Sequence, residues 1–256
     1  MNISRALVLY FTGTGTTKQY AEAFAEALPY PTEIDEIRHD NSLDETLKTD
    51  ELLVLAAPVY GGFLPPFVWN QIKAVKGTNT PAVLLAVYGA RDYDNALLEM
   101  DSKLSEQGFA TIGAAAVVAK HSIDVTIASD RPNNEDITEI KTYAQTVAER
   151  LTDMTSLEDA PTFNFKGTLE RGAAKPSPTP EATNECTKCG ICSFECPTGA
   201  IPEDCPNTTD AETCIACMRC VDICPFGARL RPAAMVEHAS AMLAKCADPK
   251  KKNEFF

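Results

Sequence analysis

Nine of the ten cysteines in this 256-residue chain fall between Cys186 and Cys224. Eight of them make two runs of one spacing, Cys186-x2-Cys189-x2-Cys192-x3-Cys196-Pro197 and Cys214-x2-Cys217-x2-Cys220-x3-Cys224-Pro225. Thiolates at two-residue intervals let a tight loop wrap three corners of a cubane iron–sulfur cluster, while the fourth cysteine, three residues on and fixed by proline, points to a second cluster. The pattern therefore implies crossed ligation, with Cys186, Cys189, Cys192 and Cys224 on one 4Fe–4S cluster and Cys214, Cys217, Cys220 and Cys196 on the other. Gly190 and Gly199 permit close backbone approach, and Ile191, Ile201, Ile215 and Ile223 can exclude water from the sulfides. A zinc site closes at four ligands and has no use for eight cysteines in a duplicated run. Such spacings also argue against the disulfides of an extracellular chain. Cys205 and Cys246 lie outside the pattern and are read as free thiols without a role.

Charge narrows the partners. The 23 basic and 36 acidic residues give a formal charge of −13, which repels phosphate backbones and anionic lipid surfaces, so neither nucleic acid nor membrane is expected. Apolar stretches such as 52–57 and 81–87 are far short of a membrane span, and the first residues lack a signal-peptide pattern. The expected compartment is the reducing cytoplasm.

Before the cysteines, short apolar runs alternate with segments of helical period, the mark of βαβ units on a parallel sheet. Strands are expected near 6–11, 33–37, 52–57, 82–88 and 112–119, with helices over 17–28, 67–75, 95–107 and 134–151. In the last helix Ile137, Ile140, Ala144, Val147 and Leu151 recur at three- and four-residue steps. The order predicts an α/β, doubly wound, five-stranded parallel sheet whose ligand site lies outside the carboxyl ends of the strands. Periodicity fades after Met154, and 173–183 carries Lys-Pro-Ser-Pro-Thr-Pro, which favours extended structure. The expected organisation is a first domain over 1–154, a linker over 155–183, a small α+β cysteine-rich domain over 184–231, and a C-terminal helix and tail over 232–256. The Lys250, Lys251, Lys252 run near the end is expected to fray.

Three loops at one edge of the expected sheet carry binding chemistry. The first strand ends in Thr12-Gly13-Thr14-Gly15-Thr16-Thr17 and leads straight into a helix, so that amide N–H groups and threonine hydroxyls can converge on a terminal phosphate. The same residues could form an ordinary strand-to-helix turn with a threonine N-cap. The loop lacks the lysine and spacing of a nucleotide-triphosphate P-loop. The third strand ends in Pro58-Val59-Tyr60-Gly61-Gly62, and the fourth in Tyr88-Gly89-Ala90-Arg91-Asp92-Tyr93. Glycine beside an aromatic suits a flat ring, whose polar edge the backbone reads while a tyrosine stacks on its face. Arg91 could place a cation beside such a ring or pair with Asp92 or Asp94. Trp69 fits a core or interface role with Phe67 and Ile72, and His121 and Ser122 are left outside the site as loop bystanders.

Residues 186–229 closely resemble 2[4Fe–4S] bacterial-type ferredoxins. The three loops together resemble flavodoxins, a resemblance that spans 1–151 and implies FMN, with Thr12, Gly13, Thr14, Gly15, Thr16 and Thr17 on its phosphate. By the same resemblance Pro58, Val59, Tyr60, Gly61, Gly62 and Tyr88, Gly89, Ala90, Arg91, Asp92, Tyr93 hold the isoalloxazine. Two departures stand out: Thr16 occupies a position where flavodoxins commonly have Asn, and the ring sandwich stays open among Tyr60, Trp69 and Tyr93. Fused in this order, the two modules resemble the flavodoxin–ferredoxin fusion family.

Such a chain is expected to carry electrons between two 4Fe–4S clusters and FMN, converting between two-electron and one-electron couples. A flavin-dependent reductase fed by its own clusters and a redox sensor are the alternatives. No Ser/His/Asp triad or catalytic Cys/His pair stands out, and no second glycine fingerprint promises a nicotinamide site. Acidic residues around the cysteines, Glu181, Glu185, Glu195, Glu203, Asp204, Asp210 and Glu212, suggest a redox partner with a basic docking surface. The linker length also permits a homodimer.

Overall fold

The computed structural model describes residues 1–172, 178–248 and 250–256. The N-terminal unit is built on strands β1 (Arg5–Tyr10), β2 (Thr32–Glu36), β3 (Glu51–Pro58), β4 (Thr80–Tyr88) and β5 (Phe109–Val118). They run parallel in the order β2-β1-β3-β4-β5, the doubly wound order with its switch point between β1 and β3. Strands β3 and β4 are buried along their whole length, which is why they read as continuous apolar runs. Helices α1 (Thr16–Ala27) and α4 (Asn134–Asp153) cover one face of the sheet, packing Tyr20, Phe24, Ile140, Ala144 and Val147 over Val8, Val54 and Leu85. Helices α2 (Pro66–Gln71) and α3 (Ala96–Glu106) cover the other, with Val68, Leu97 and Met100 over Leu9, Leu55 and Leu84. Each fully buried Val, Leu, Ile, Met or Phe side chain among them contributes about 1.5–3 kcal/mol.

Local chemistry sets the element ends. Asn133 caps α4 by accepting from the backbone N–H groups of Glu135 and Asp136, and the Asp136 carboxylate accepts from Asn133 N at 2.8 Å, closing a capping box. The same carboxylate pairs with Arg131. In β5 the register slips opposite Ala82 and Val83, a bulge that leaves Ile112 unpaired against β4.

The C-terminal end departs from the sequence expectation. After α7 (Ala233–Cys246) the chain returns to the sheet, where β6 (Glu254–Phe255) pairs antiparallel with Ala116 and Ala115 of β5. The expected frayed lysine run is therefore docked. Asp248 N donates to Ala90 O, Lys251 Nζ to Arg91 O, and Asn253 Oδ1 accepts from Val118 N. Three lysines predict solvation by charge alone, whereas the flanking Asn253 and Phe255 supply the backbone partners and ring contacts that anchor the segment. Of the expected linker, 173–177 lies outside the described residues. Before it, the chain adheres to the N-terminal unit: Lys166 pairs with Asp92, and Arg171 holds the buried Glu99 and Leu64 O.

The cysteine-rich unit is a duplicated small fold. Each run ends in one helical turn, α5 (Ile191–Phe194) or α6 (Arg219–Asp222), and a short antiparallel pair, Glu181–Ala182 with Arg229–Leu230, ties its two ends together. Among the described residues, no helix is long and apolar enough to cross a membrane.

Candidate redox site

A cavity of about 220 Å³ opens at the carboxyl ends of the central strands. The loop after β1 supplies Gly13, Thr14, Thr16 and Thr17 to its wall. Thr12 shapes the loop by accepting from Gly15 N at 3.0 Å, and Gly15 turns through the left-handed region at φ 88° to start α1. No side chain caps α1 and its first turn carries no acid, so the first N–H groups stay free for an anion. The threonine hydroxyl is thus spent on the loop rather than on a helix cap, which decides against an ordinary N-capped turn.

Pro58, Val59, Tyr60 and Gly61 form a second wall, and Tyr88 and Gly89 a third. The remaining expected residues lie elsewhere. Gly62 sits in a turn against Asp94, with its carbonyl accepting from Asn95 N. Ala90 is fully buried, Arg91 pairs with Asp94, and Asp92 pairs with Lys166. Tyr93 is buried edge-on against Tyr88 and donates to Glu254 at 3.2 Å. The loop after β4 turns away from the cavity at Ala90 because the docked C-terminal tail holds Ala90, Arg91 and Tyr93. Trp69 packs on the core from α2 with Lys103 over its ring, so Tyr60 and Tyr88 are the aromatics that face the cavity.

The loop after β5 completes the cavity with Lys120, His121, Ser122 and Ile123, which sequence reasoning left out. A usable signal existed, since the fifth strand ends at the same sheet edge as the others. His121 Nδ1 accepts from Ile123 N at 3.2 Å and Asp124 N at 3.0 Å, so the neutral ring carries its proton on Nε2. Burial lowers the His121 pKa below its ordinary value.

Around the cysteines two further cavities form. Cys186, Cys189, Cys192 and Cys224 line the first, and Cys196, Cys214, Cys217 and Cys220 the second. These are the two groups that crossed ligation requires. Among the described residues no group of three or more His, Cys, Asp or Glu side chains is arranged to hold a single metal ion. Backbone N–H groups reach sulfur in both sets: Ala228 N to Cys224 Sγ at 3.3 Å, Ala200 N to Cys196 Sγ at 3.3 Å, and Ala216 N to Cys214 Sγ at 3.4 Å. Burial pushes the thiols of Cys217 and Cys220 up to about 11 and about 12, so ligation at these positions must release protons.

The second run is built into the first cavity. Ile215 and Ala216 are part of its wall. Gly13 lies so close that a Cβ there would stand 2.6 Å from Cys217 O and 2.7 Å from the Tyr60 hydroxyl. Arg219, almost fully buried, donates to Thr12 O at 2.6 Å and Gly13 O at 3.4 Å and pairs with Glu36, the last residue of β2. Nothing in the cysteine spacing announces this seam.

A flavodoxin domain family matches residues 7–119, and a 4Fe–4S binding domain family matches 183–201 and 208–230. No curated protein matches the chain significantly. Similar solved structures include a flavodoxin from the domain Archaea, at 18% identity over 58% of this chain and 99% of that one, with a TM-score of 0.46. A flavodoxin of Streptococcus pneumoniae TIGR4 aligns at 16% identity over 57% and 99%, with a TM-score of 0.43. The rubredoxin oxygen:oxidoreductase of Desulfovibrio gigas aligns at 15% identity over 59% of this chain and 37% of that one, with a TM-score of 0.40. The chain joins a flavodoxin domain to a 4Fe–4S binding domain in one polypeptide, the composition of an iron–sulfur flavoprotein of electron transfer.

Proposed function

We propose that this chain binds one FMN and two 4Fe–4S clusters and relays electrons between them. The supporting observation is the seam: Ile215 and Ala216, inside the second cysteine run, form part of the wall of the flavodoxin-domain cavity. The residues suit the groups. Gly13 and the threonines of its loop line the cavity, the uncapped start of α1 offers N–H donors to a phosphate, and Tyr60 and Tyr88 border the space for a flat ring. Four thiols around each of two cavities, with N–H donors to sulfur, suit cubanes. FMN supplies exchange of one or two electrons and each cluster exchange of one.

The protein's part is placement. Arg219 pins the Cys217–Cys220 turn to the phosphate loop, so the second thiol set has a fixed position against the flavin cavity. The first set faces outward, with Cys189 exposed and Phe194 at 74% and Phe226 at 54% exposure nearby. Glu195 and Glu203 border that apolar surface, which favours a redox protein with a basic rim around an apolar centre as the partner. The thiol set suits a reducing, cytoplasmic setting.

The test is flavin reduction in anaerobically purified protein holding about eight iron, eight acid-labile sulfides and one FMN. Reduced ferredoxin should bleach the bound flavin at least about tenfold faster than the same concentration of free FMN, because tethering fixes distance and orientation. Equal rates would show two independent redox modules on one chain.

A further inference from the structure

Arg229 is among the largest fully buried side chains, at 2% exposure. Its guanidinium Nη1 donates to Pro180 O at 3.3 Å and Thr209 Oγ1 at 2.7 Å, and its Nη2 to Pro206 O at 2.5 Å and Thr208 O at 2.7 Å. All four acceptors are neutral. The Nε–H is buried with no acceptor among the described residues. Arg131 and Arg219 are also deeply set, but each holds a carboxylate, whereas no carboxylate pairs with Arg229 among the described residues. A buried cation without an anion is costly enough that folds avoid it, and a buried donor left without an acceptor adds to the cost.

The surroundings supply the missing anion. Arg229 lines the cavity of Cys186, Cys189, Cys192 and Cys224, and two of its acceptors, Pro180 and Thr209, line that of Cys196, Cys214, Cys217 and Cys220. The side chain therefore stands between the two thiol sets. We infer that Arg229 is the internal counter-ion of the iron–sulfur pair, its charge offsetting the anionic thiolate-ligated clusters and its free Nε–H donating to one of their sulfur atoms. This rests on the two-cluster reading above. A cluster that accepts one electron becomes more negative by one charge, so a fixed cation beside it favours the reduced form. Arg229 is in this sense a positioning and tuning residue, and its removal should make at least one cluster harder to reduce.

The experiment is a mediated redox titration of the full chain, purified anaerobically, with reduced clusters read by electron paramagnetic resonance and iron counted in every sample. In Arg229→Gln the reduced-to-oxidised ratio of at least one cluster at the wild-type midpoint should fall at least about tenfold, a 59 mV shift for a one-electron couple. In Arg229→Lys, which keeps the charge, the midpoint should stay closer to wild type. Equal midpoints in fully loaded wild type and Arg229→Gln overturn the inference, as does a shift in Arg229→Lys as large as that in Arg229→Gln. If Arg229→Gln loses its iron, Arg229→Lys decides: iron retained near the wild-type midpoint supports the counter-ion, and iron lost from both assigns Arg229 to holding the carbonyls of Pro180, Pro206 and Thr208. Wild type without iron would instead refute the two-cluster reading itself.

Discussion

The two cysteine runs begin from one spacing and end in opposite surroundings. Their backbones correspond: Lys188 and Ala216 both take left-handed φ, at 56° and 53°, as do Gly190 and Met218, at 79° and 67°. The residues between the ligands differ. The first run places Thr187, Lys188, Gly190 and Ile191 around its thiols, and Cys189 remains exposed. The second places Ile215, Met218 and Arg219 there; Cys217 is buried in the core of the N-terminal unit, and Cys220 among Cys196, Ala200 and Ile201. Ligand spacing sets the loop geometry, while the intervening side chains decide which loop docks and which stays exposed. One run is a face and the other a joint.

The largest expected effect comes from unequal damage to the two runs. Cys217→Ser perturbs the thiol set on the flavin cavity, and reduction of bound FMN by reduced ferredoxin should slow about 100-fold or more, the scale of a misplaced reacting centre. Cys189→Ser perturbs the outward set, and the slowing should be nearer tenfold in the same stopped-flow measurement. FMN affinity should stay close to wild type in Cys189→Ser, because its loop shares no residue with the flavin cavity. A larger slowing in Cys189→Ser than in Cys217→Ser would reverse the assignment of face and joint.

A smaller, sharper contrast uses two glycines. At Gly13 a Cβ would press on the Cys217 carbonyl, which is backbone and cannot swing aside. Gly13→Ala should therefore separate the seam at an overpacking cost of about 1–3 kcal/mol, seen as weaker FMN binding by flavin fluorescence and slower electron delivery. At Gly190 nothing lies within 4 Å and the cost is the left-handed backbone alone, φ 79°. Gly190→Ala should lower stability by about 1–2 kcal/mol and leave FMN affinity unchanged. Equal losses of FMN affinity in the two variants would sever the link between Gly13 and the seam.

The same contrast explains how much could be read beforehand. The five parallel strands were legible from apolar runs, since strands such as β3 and β4 are buried on both faces and carry an unbroken signal. The grouping of the eight cysteines was legible because ligand spacing is local chemistry. The place of the loop after β1 on the cavity wall was legible for the same reason, with Thr12 and Gly15 shaping it and Gly13, Thr14, Thr16 and Thr17 on the wall. What escaped were contacts between distant segments. Ala90, Arg91, Asp92 and Tyr93 read as cavity residues beside Gly89, but partners far along the chain, Asp248, Lys251, Glu254 and Lys166, draw them away. Ile215, Ala216 and Arg219 carry no sequence sign of the loop they dock on, because the complementary surface is some 200 residues distant.

The mildest effect concerns pH and again separates the two sides. His121 lies in the wall of the cavity proposed for the flavin, whereas no histidine lines the outward thiol cavity. Burial, the largest influence, holds the folded His121 pKa below its ordinary value of 6.5. Below that value the unfolded chain takes up a proton that the folded chain resists, so the unfolded state binds more protons and stability falls as pH falls. The loss begins near pH 6.5 and is complete only once pH passes below the depressed folded value. Chemical unfolding followed by flavin release should show a lower midpoint at about pH 5.5 than at about pH 7.5, and His121→Gln should flatten that difference. Because Nδ1 already accepts two backbone N–H groups, protonation there would also break the turn through Ile123 and Asp124. Acid should therefore loosen the flavin side first, with flavin release preceding any loss of absorbance from the iron–sulfur chromophore. An unchanged pH slope in His121→Gln would assign the acid sensitivity to carboxylates instead, and bleaching of that chromophore ahead of flavin release would place the weaker side at the cysteines.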